Sequence, residues 1–188
     1  METRTQTRVS PARPALLVEP ERLALPGGRI VLLRPITPQD AAAEQAFVGA
    51  LSLDSRHKRF HVGLRQLPPD LLRRFIDVDQ HDHVAMVAED AGSSHLVADA
   101  RYVRSEDHPD EAEFAIAVAD DWQSLGLGRT LMARLSRHAR LAGLRSLYGD
   151  VLTENRRMLV LMRALGARAR PHPQGPQIAR IAFDLSES

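Results

Sequence analysis

The chain has 188 residues, of which 44% are hydrophobic and 26% are charged, and its formal net charge is +1. These values are typical of one soluble globular domain, and they exclude a general charge attraction to nucleic acid or to an anionic membrane. The absence of cysteine excludes disulfides, thiolate metal ligands and a cysteine nucleophile. Since no apolar run approaches the roughly 20 residues of a membrane-spanning helix, a cytoplasmic location is expected.

The N-terminal segment differs in composition from the rest of the chain. Residues 1–26 are rich in arginine, threonine and proline and show no sustained hydrophobic period. We therefore predict a flexible arm over this segment and one folded domain over residues 27–188. The segment "GRIVLLRPI" (28–36) predicts the first strand. Thr37, as an N-cap, and Pro38, at the first helical position, then predict the start of a helix.

The middle of the chain contains helical and then extended patterns. "LSLDSRHKRF" predicts a second helical region, and "LPPDLLRRFIDV" predicts a third helix after its two prolines. Residues 83–90 and 95–104 predict two strands joined by a turn at "AGSS". A further strand is expected over residues 111–119, followed by a glycine-rich turn and a helix over about 127–142.

The last part of the chain returns to a strand, a helix and a strand. "LRSLYGDVL" predicts a strand, "TENRRMLVLMRALG" a helix with Thr153 as its cap, and "IARIAFDL" a closing strand. The predicted order is β-α-α-β-β-β-α-β-α-β. This order indicates an α/β (α+β) domain with a mixed sheet and helices on both of its faces.

The strand at residues 111–119 has two unlike faces, because successive side chains of a strand point to opposite sides. One face carries Phe114, Ile116 and Val118, and the other carries Glu113, Ala115, Ala117 and Ala119. The bulky face is expected to pack into the core. The face with one carboxylate and three alanines suits either a ligand that lies along the strand or the close approach of a helix.

The turn after this strand, "QSLGLGRT", has the features of an anion site. Gly126 and Gly128 permit positive φ and close backbone approach, and the following helix leaves its first N–H groups without partners. Arg129 adds a positive charge, so a diphosphate is the expected ligand. Leu131 stands where the Rossmann fingerprint needs a third glycine, and no Gly-Lys-Ser/Thr triplet supports a P-loop.

The segment "DDWQSLGLGRTLMARL" resembles the Q/R-x-x-G-x-G/A motif of the GNAT family of N-acetyltransferases. The likeness extends over residues 28–185. It implies a single GNAT domain with a mixed, mostly antiparallel sheet of about six to seven strands, and acetyl-CoA as cosubstrate. More narrowly, "LRPITPQD", "LSLDSRHKRF" and "ENRRMLVLMRALGA" resemble the acetyltransferase domain of bacterial protein lysine acetyltransferases. That resemblance implies a protein acceptor such as an acyl-CoA synthetase.

The resemblance also implies roles for individual residues. Glu113 would be the general base, Ile116 and Val118 would pair their backbones with the pantetheine arm, and Asn155 would contact the coenzyme. The pyrophosphate loop would contain Gln123, Leu125, Gly126, Leu127, Gly128, Arg129 and Thr130. Many family members have a tyrosine that acts as general acid at the position of Met162, so this chain has no assigned side-chain acid.

Several alternatives stay open. The acceptor is a protein lysine or, alternatively, a small amine of the polyamine type, and a third possibility is a protein that senses acetyl-CoA without turnover. Glu111 is interpreted as a solvated acid at the strand edge. No metal site is expected, since His81 and His83 have no third ligand at a recognisable spacing. The basic segment 55–60 is either a solvated helix face or a contact for an acidic partner or coenzyme phosphates.

Overall fold

The structure is a computed structural model that describes residues 20–62 and 64–186. The strands in this part of the chain are β1 (Glu21–Ala24), β2 (Ile30–Pro35), β3 (His83–Asp90), β4 (Leu96–Arg104), β5 (Glu111–Val118), β6 (Ser146–Leu152), β7 (Arg168–Pro171) and β8 (Ile178–Asp184). The α-helices are α1 (Ala41–Ala50), α2 (Leu53–Phe60), α3 (Pro69–Ile76), α4 (Leu127–Leu141) and α5 (Arg156–Ala164).

All described strands belong to one sheet with the order β1-β2-β3-β4-β5-β6-β8-β7. Neighbouring strands are antiparallel, except for β5 and β6, which are parallel. The predicted mixed, mostly antiparallel sheet is thus confirmed, with 8 strands instead of six to seven. None of the helices within the described ranges is long and apolar enough to span a membrane.

The fold begins earlier in the chain than the sequence indicated. Residues 20–26 were assigned to a flexible arm, but β1 pairs with β2 in an antiparallel register. Glu21 accepts a hydrogen bond of 2.6 Å from Arg134 of α4, and Leu25 is buried in the core. The prediction was wrong here because a strand of four residues is too short to show a hydrophobic period. Residues 1–19 lie outside the described part of the chain.

The second missed strand, β7, has all four residues exposed and ends in a proline. It lies at the edge of the sheet, beside β8, where a sequence needs no buried face. The predicted cap of α5 also requires correction. Asn155, not Thr153, accepts the capping hydrogen bond, from the amide of Met158 at 3.2 Å, while Thr153 pairs through its amide with the carbonyl of Gln177.

The sheet separates two cores with different contents. One core, beneath α4 and α5, is a large apolar cluster that includes Leu131, Leu135 and Met162. The other core lies beneath α1 and α3 and includes Phe47 and Phe75. This second side also buries charged side chains, namely Glu44, Asp99 and Arg101. The strand β5 borders both cores, and this position makes it the natural place for a site.

Candidate active site

The strands β5 and β6 run side by side only at their beginnings. Pairing between them covers Glu111–Glu113 and Ser146–Tyr148, whereas β5 stays paired with β4 as far as Val118. At Gly149 a Cβ atom would lie 2.9 Å from the carbonyl oxygen of Phe114, so only glycine allows this last close approach. Beyond it the two parallel strands diverge, and the edge of β5 is open.

Backbone groups of β5 point into this opening. The amide of Ala119 donates to the carbonyl of Val97 in β4 at 2.8 Å. Because hydrogen-bonding direction alternates along a strand, Ile116 and Val118 direct their N–H and C=O groups to the open side. The Val118 carbonyl accepts a hydrogen bond of 3.1 Å from Gln123 Nε2. Ile116 is therefore placed to hydrogen-bond with an extended ligand, as an added strand would.

A run of backbone amides without partners follows the strand. The first helical bond of α4 joins the Thr130 amide to the Gly126 carbonyl at 3.1 Å. The amides of residues 124–129 donate no hydrogen bond to any group within the described ranges. Ser124 and Gly126 both have positive φ, at 63° and 85°, which curves the chain so that these N–H groups converge. Such a concave group at a helix N-terminus binds anions.

The residues predicted for this loop have different positions and contacts in the structure. Gly126, Gly128 and Arg129 line the cavity beside β5. Leu125 and Leu127 instead pack into the apolar core, so each offers only its amide to a ligand. Thr130 does not contribute in this way, because its amide and its hydroxyl both donate to the Gly126 carbonyl.

Ser124 was not predicted, but it lines the cavity, and its amide donates no hydrogen bond to any of the described residues. Its positive φ could not be foreseen, because serine rarely adopts that conformation.

The Gln123 side chain joins three elements around the opening. Its Nε2 donates to the Val118 carbonyl at 3.1 Å and to Ser55 Oγ of α2 at 3.3 Å. Its Oε1 accepts from Arg157 of α5 at 3.1 Å. Gln123 thus fixes the position of the loop between α2, β5 and α5, a role that the motif alone did not indicate.

A cavity of about 1090 Å³ extends from the loop along β5. It includes all four predicted site residues outside the loop, namely Glu113, Ile116, Val118 and Asn155. Arg59 and Phe60 of the basic segment 55–60, for which a functional contact was one of the two interpretations, also line it. Four further lining residues were not predicted, namely Phe75 from α3, Asp150 from β6, and Arg156 and Arg157 from α5. Only the tertiary structure brings these segments together, since α2 and α5 are far apart in sequence.

Glu113 is exposed to this cavity at the end away from the amides. Within residues 20–62 and 64–186 its carboxylate accepts no hydrogen bond and has no ion-pair partner. Partial burial, followed by the negative charge of Asp150, raises the pKa of Glu113 above its ordinary value of 4.5. Arg180, Arg59 and His61 oppose this rise. The carboxylate is therefore available as a base.

Asp150 is close to Glu113 but is already engaged. Its Oδ1 accepts from Arg180 Nε at 2.9 Å, and its Oδ2 lies 3.0 Å from His172 Nε2. These contacts hold the pKa of Asp150 below its ordinary value, against the effect of burial. On α5, Met162 is completely buried and has no proton to donate. A side-chain acid at that position is thus absent, as the sequence showed.

The chain is similar to known proteins over most of its length. A family model for the acetyltransferase (GNAT) domain matches residues 31–168. The chain belongs to the GNAT acetyltransferase family. This GNAT chain is 36% identical over 145 residues to an acetyltransferase of Pseudomonas aeruginosa, a match that covers 76% of this chain and 77% of the relative. Family membership makes it an acetyl-CoA-dependent N-acetyltransferase.

Two further relatives are longer or more distant. The acetyltransferase Pat of Mycolicibacterium smegmatis is 32% identical over 162 residues, which cover 85% of this chain and 48% of Pat. The GNAT chain therefore spans about half the length of Pat. The solved GNAT domain of S. lividans PAT superposes with a TM-score of 0.81 at 27% identity, over 88% of this chain and 96% of that domain.

Proposed function

We propose that this GNAT acetyltransferase transfers the acetyl group of acetyl-CoA directly to a primary amine, with Glu113 as general base and a protein lysine as acceptor. One observation carries the proposal. One cavity has at one end amides, and at the other the Glu113 carboxylate, that have no partner among the described residues, and the open edge of β5 connects them.

The loop and the strand edge suit the two halves of the coenzyme. The amides of residues 124–129, with Arg129 at the rim, would bind its diphosphate. The backbone of Ile116 and Val118 would pair with the extended pantetheine arm, and Asn155 would contact the coenzyme from the start of α5. This placement brings the thioester towards Glu113, beside the small side chains of β5.

The proton is the first problem of the reaction. A lysine ammonium has a pKa of about 10.4, so its neutral form costs roughly 4–5 kcal/mol at pH 7. Glu113 accepts this proton directly or through one water molecule. The neutral nitrogen then attacks the thioester carbon, and negative charge develops on the carbonyl oxygen. A backbone N–H on the open edge, at Ile116 or Val118, is placed to stabilise that oxyanion.

The collapse of the intermediate needs no acid from the protein. The attacking nitrogen releases its second proton to water as the C–S bond breaks, and coenzyme A leaves as a thiolate, which takes a proton from solvent. A thiol with a pKa of about 8.5 is a tolerable leaving group, so the buried Met162 is compatible with turnover. The product amide and free coenzyme A then leave through the open mouth of the cavity.

The likeness to Pat and to the GNAT domain of S. lividans PAT supports a protein acceptor. An acyl-CoA synthetase is the acceptor that the resemblance implies. A polyamine acceptor is less well supported, because a polycation favours several unpaired acids and both oxygens of Asp150 are occupied. A sensor without turnover has no use for a base such as Glu113.

The test is the release of coenzyme A from acetyl-CoA by the purified protein. The panel contains acetyl-CoA synthetase, a lysine peptide and spermidine. We expect turnover with the protein or the peptide, and a loss of about 10²–10⁴-fold in rate for Glu113→Gln with unchanged acetyl-CoA affinity. Glu111→Gln is the matched control, since it lies on the same strand but outside the cavity lining.

Other outcomes would contradict parts of the proposal. Turnover with spermidine alone would replace the protein acceptor by a small amine. Tight binding of acetyl-CoA without turnover on any acceptor of the panel would favour the sensor. Full activity of Glu113→Gln would show that another group, or solvent, takes the proton.

A further inference from the structure

Arg59 is a largely buried cation whose guanidinium donates no hydrogen bond within the described residues. It extends from α2 into the wall of the cavity, and its side chain is only 12% exposed. Its contacts are Asp99 Oδ1 at 3.9 Å and the rings of Phe60 and Phe75, at 5.0 and 5.5 Å from the guanidinium carbon. Throughout the described residues it donates no hydrogen bond. Buried guanidinium groups usually have hydrogen-bond partners.

The acid nearest to Arg59 is already neutralised. Asp99 accepts from Arg101 with both oxygens, from Nε at 3.0 Å and from Nη2. Glu44 lies behind this pair, 3.9 Å from Arg101, and its two oxygens have no hydrogen-bond partner within the described ranges. Burial, followed by the charge of Asp99, raises the pKa of Glu44 to about 8. Within the described residues, neither of these carboxylates accepts a hydrogen bond from Arg59.

The strand register places these buried charged side chains on the side of the sheet that carries the proposed base. Asp99 is paired with Ala117, and Arg101 with Ala115, so the buried pair and the alanines share the face of β5 that carries Glu113. Arg59 is close enough for its charge to lower the pKa of Glu113, yet the two groups form no ion pair. Within the described residues, a carboxylate without an ion-pair partner and a guanidinium that donates no hydrogen bond thus line the same cavity.

Other cations at this end of the cavity are already paired. Arg180 is bonded to Asp150, and Lys58 lies 2.5 Å from Asp54. The small side chains of Ala115 and Ala117 leave room along the wall next to Arg59. The rings of Phe60 and Phe75 exclude water from one side of the guanidinium, which strengthens any charge pair formed there.

We infer that Arg59 binds a carboxylate of the acceptor, so that the acceptor presents its amine to Glu113 and its carboxylate to Arg59. This inference rests on the proposed function and names the chemistry of the substrate. The acceptor is an amine with a carboxylate in the same molecule. Two sources share this chemistry, an acidic residue beside a lysine in a polypeptide and the α-carboxylate of a free amino acid.

The experiment compares acceptors that differ only in this group. One pair is a lysine peptide with glutamate beside the lysine and its glutamine counterpart, and the other is free alanine and its α-amide, alaninamide. In one pair we expect kcat/KM to be roughly tenfold or more higher for the carboxylate member than for the amide member. This is the factor expected from one charge-assisted hydrogen bond. The pair that shows the preference identifies the source.

Variants of Arg59 then test whether this residue causes the preference for a carboxylate-bearing acceptor. Arg59→Gln should remove it and leave the KM for acetyl-CoA unchanged, while Arg59→Lys should keep part of it. Arg73→Gln, on the exposed surface of α3, is the matched control and should keep all of it. The comparison with wild-type protein needs no variant, so it remains decisive if Arg59→Gln fails to fold.

Two results would overturn the inference while the proposed function stands. One is equal kcat/KM for the carboxylate and amide members of both pairs. The other is a preference that survives in folded Arg59→Gln. Absence of transfer to every amine tested would instead contradict the proposed function and, with it, the inference.

Discussion

The two sides of the sheet differ in how many charged side chains they bury. Beneath α4 and α5 the buried residues are almost all apolar, and the Tyr102 hydroxyl and His138 Nδ1 pair with each other at 2.7 Å. Beneath α1–α3 the protein buries Asp99 and Arg101 as an ion pair and places Glu44 behind them. The strand β5 contributes to both sides, with Phe114 on the first and Glu113 on the second.

From this difference we infer a separate role for each side of the sheet. The apolar side fixes the distance between β5, α4 and α5, and so holds the amide-rich loop and the strand edge in place. The charged side faces the acceptor end of the cavity, where a proton must be moved and an ionic substrate bound. Buried charge is costly, and here it lies next to the groups proposed to use it.

The largest effect is expected from breaking the ion pair of the charged side. Arg101→Met removes both hydrogen bonds from the buried Asp99 carboxylate, and should lower the free energy of unfolding by about 3–5 kcal/mol. Urea denaturation measures this loss. A second substitution, Asp99→Leu, should restore part of it, because an apolar pair leaves no unpaired charge. A loss below about 1 kcal/mol for Arg101→Met would show that the pair is not buried as described.

On the apolar side, Met162 provides the corresponding test. Met162→Ala should cost about 2–5 kcal/mol of unfolding free energy, because it leaves a cavity in a fully packed region. Met162→Leu, which conserves volume, should cost less than about 1.5 kcal/mol. Neither change touches the charged side, so the acceptor preference should survive in both folded variants. Loss of that preference in Met162→Leu would contradict the division of tasks.

The pH dependence of stability sharpens the comparison further. The pKa of Glu44 rises from an ordinary value of 4.5 to about 8 in the folded state, so the folded state holds this proton more tightly than the unfolded state. The resulting stabilisation is complete below about pH 4.5 and is lost as the pH rises through about 8.

Denaturation of wild type and Glu44→Gln across this range measures the effect. The stability of the wild type should fall with rising pH relative to the variant, whose amide cannot ionise. Glu106→Gln, at an exposed position, should run parallel to the wild type. Parallel curves for Glu44→Gln would mean that Glu44 is ionised in the folded protein.

The smallest change in activity is expected at Asp120, which connects α2 to the loop before α4. Asp120 accepts hydrogen bonds from the Ser52 amide, Ser52 Oγ and Ser55 Oγ at 2.9, 2.8 and 2.7 Å, and so ties α2 to the start of the loop. Asp120→Asn places an N–H₂ group against these donors. If acetyl-CoA binding loses about 1 kcal/mol of free energy, the KM for acetyl-CoA should rise on the order of fivefold, with little change in kcat. Asp121→Asn is the control, and an equal rise in both variants would exclude a specific role for Asp120.

The local parts of this arrangement could be predicted from sequence. The strand, the glycine turn and the helix at residues 111–141 are adjacent in the chain, and each has a strong signal of its own. The side-chain partners could not be predicted in this way. Arg59 meets Asp99 of β4 only through the packing of α2 against the neighbouring strand β5, and the pairing of Arg101 with Ala115 depends on strand register. A single sequence does not encode these relations in any local pattern.

The most direct test of the central claim is the pH dependence of kcat/KM for acetyl transfer to a lysine peptide. Glu113 must be ionised to accept the proton, so the rate should fall on the acid side with an apparent pKa above 4.5, the ordinary value of a glutamate. In Glu113→Gln this acid limb should disappear together with most of the rate. An unchanged acid limb in the variant would show that a different group controls the proton and would contradict the account.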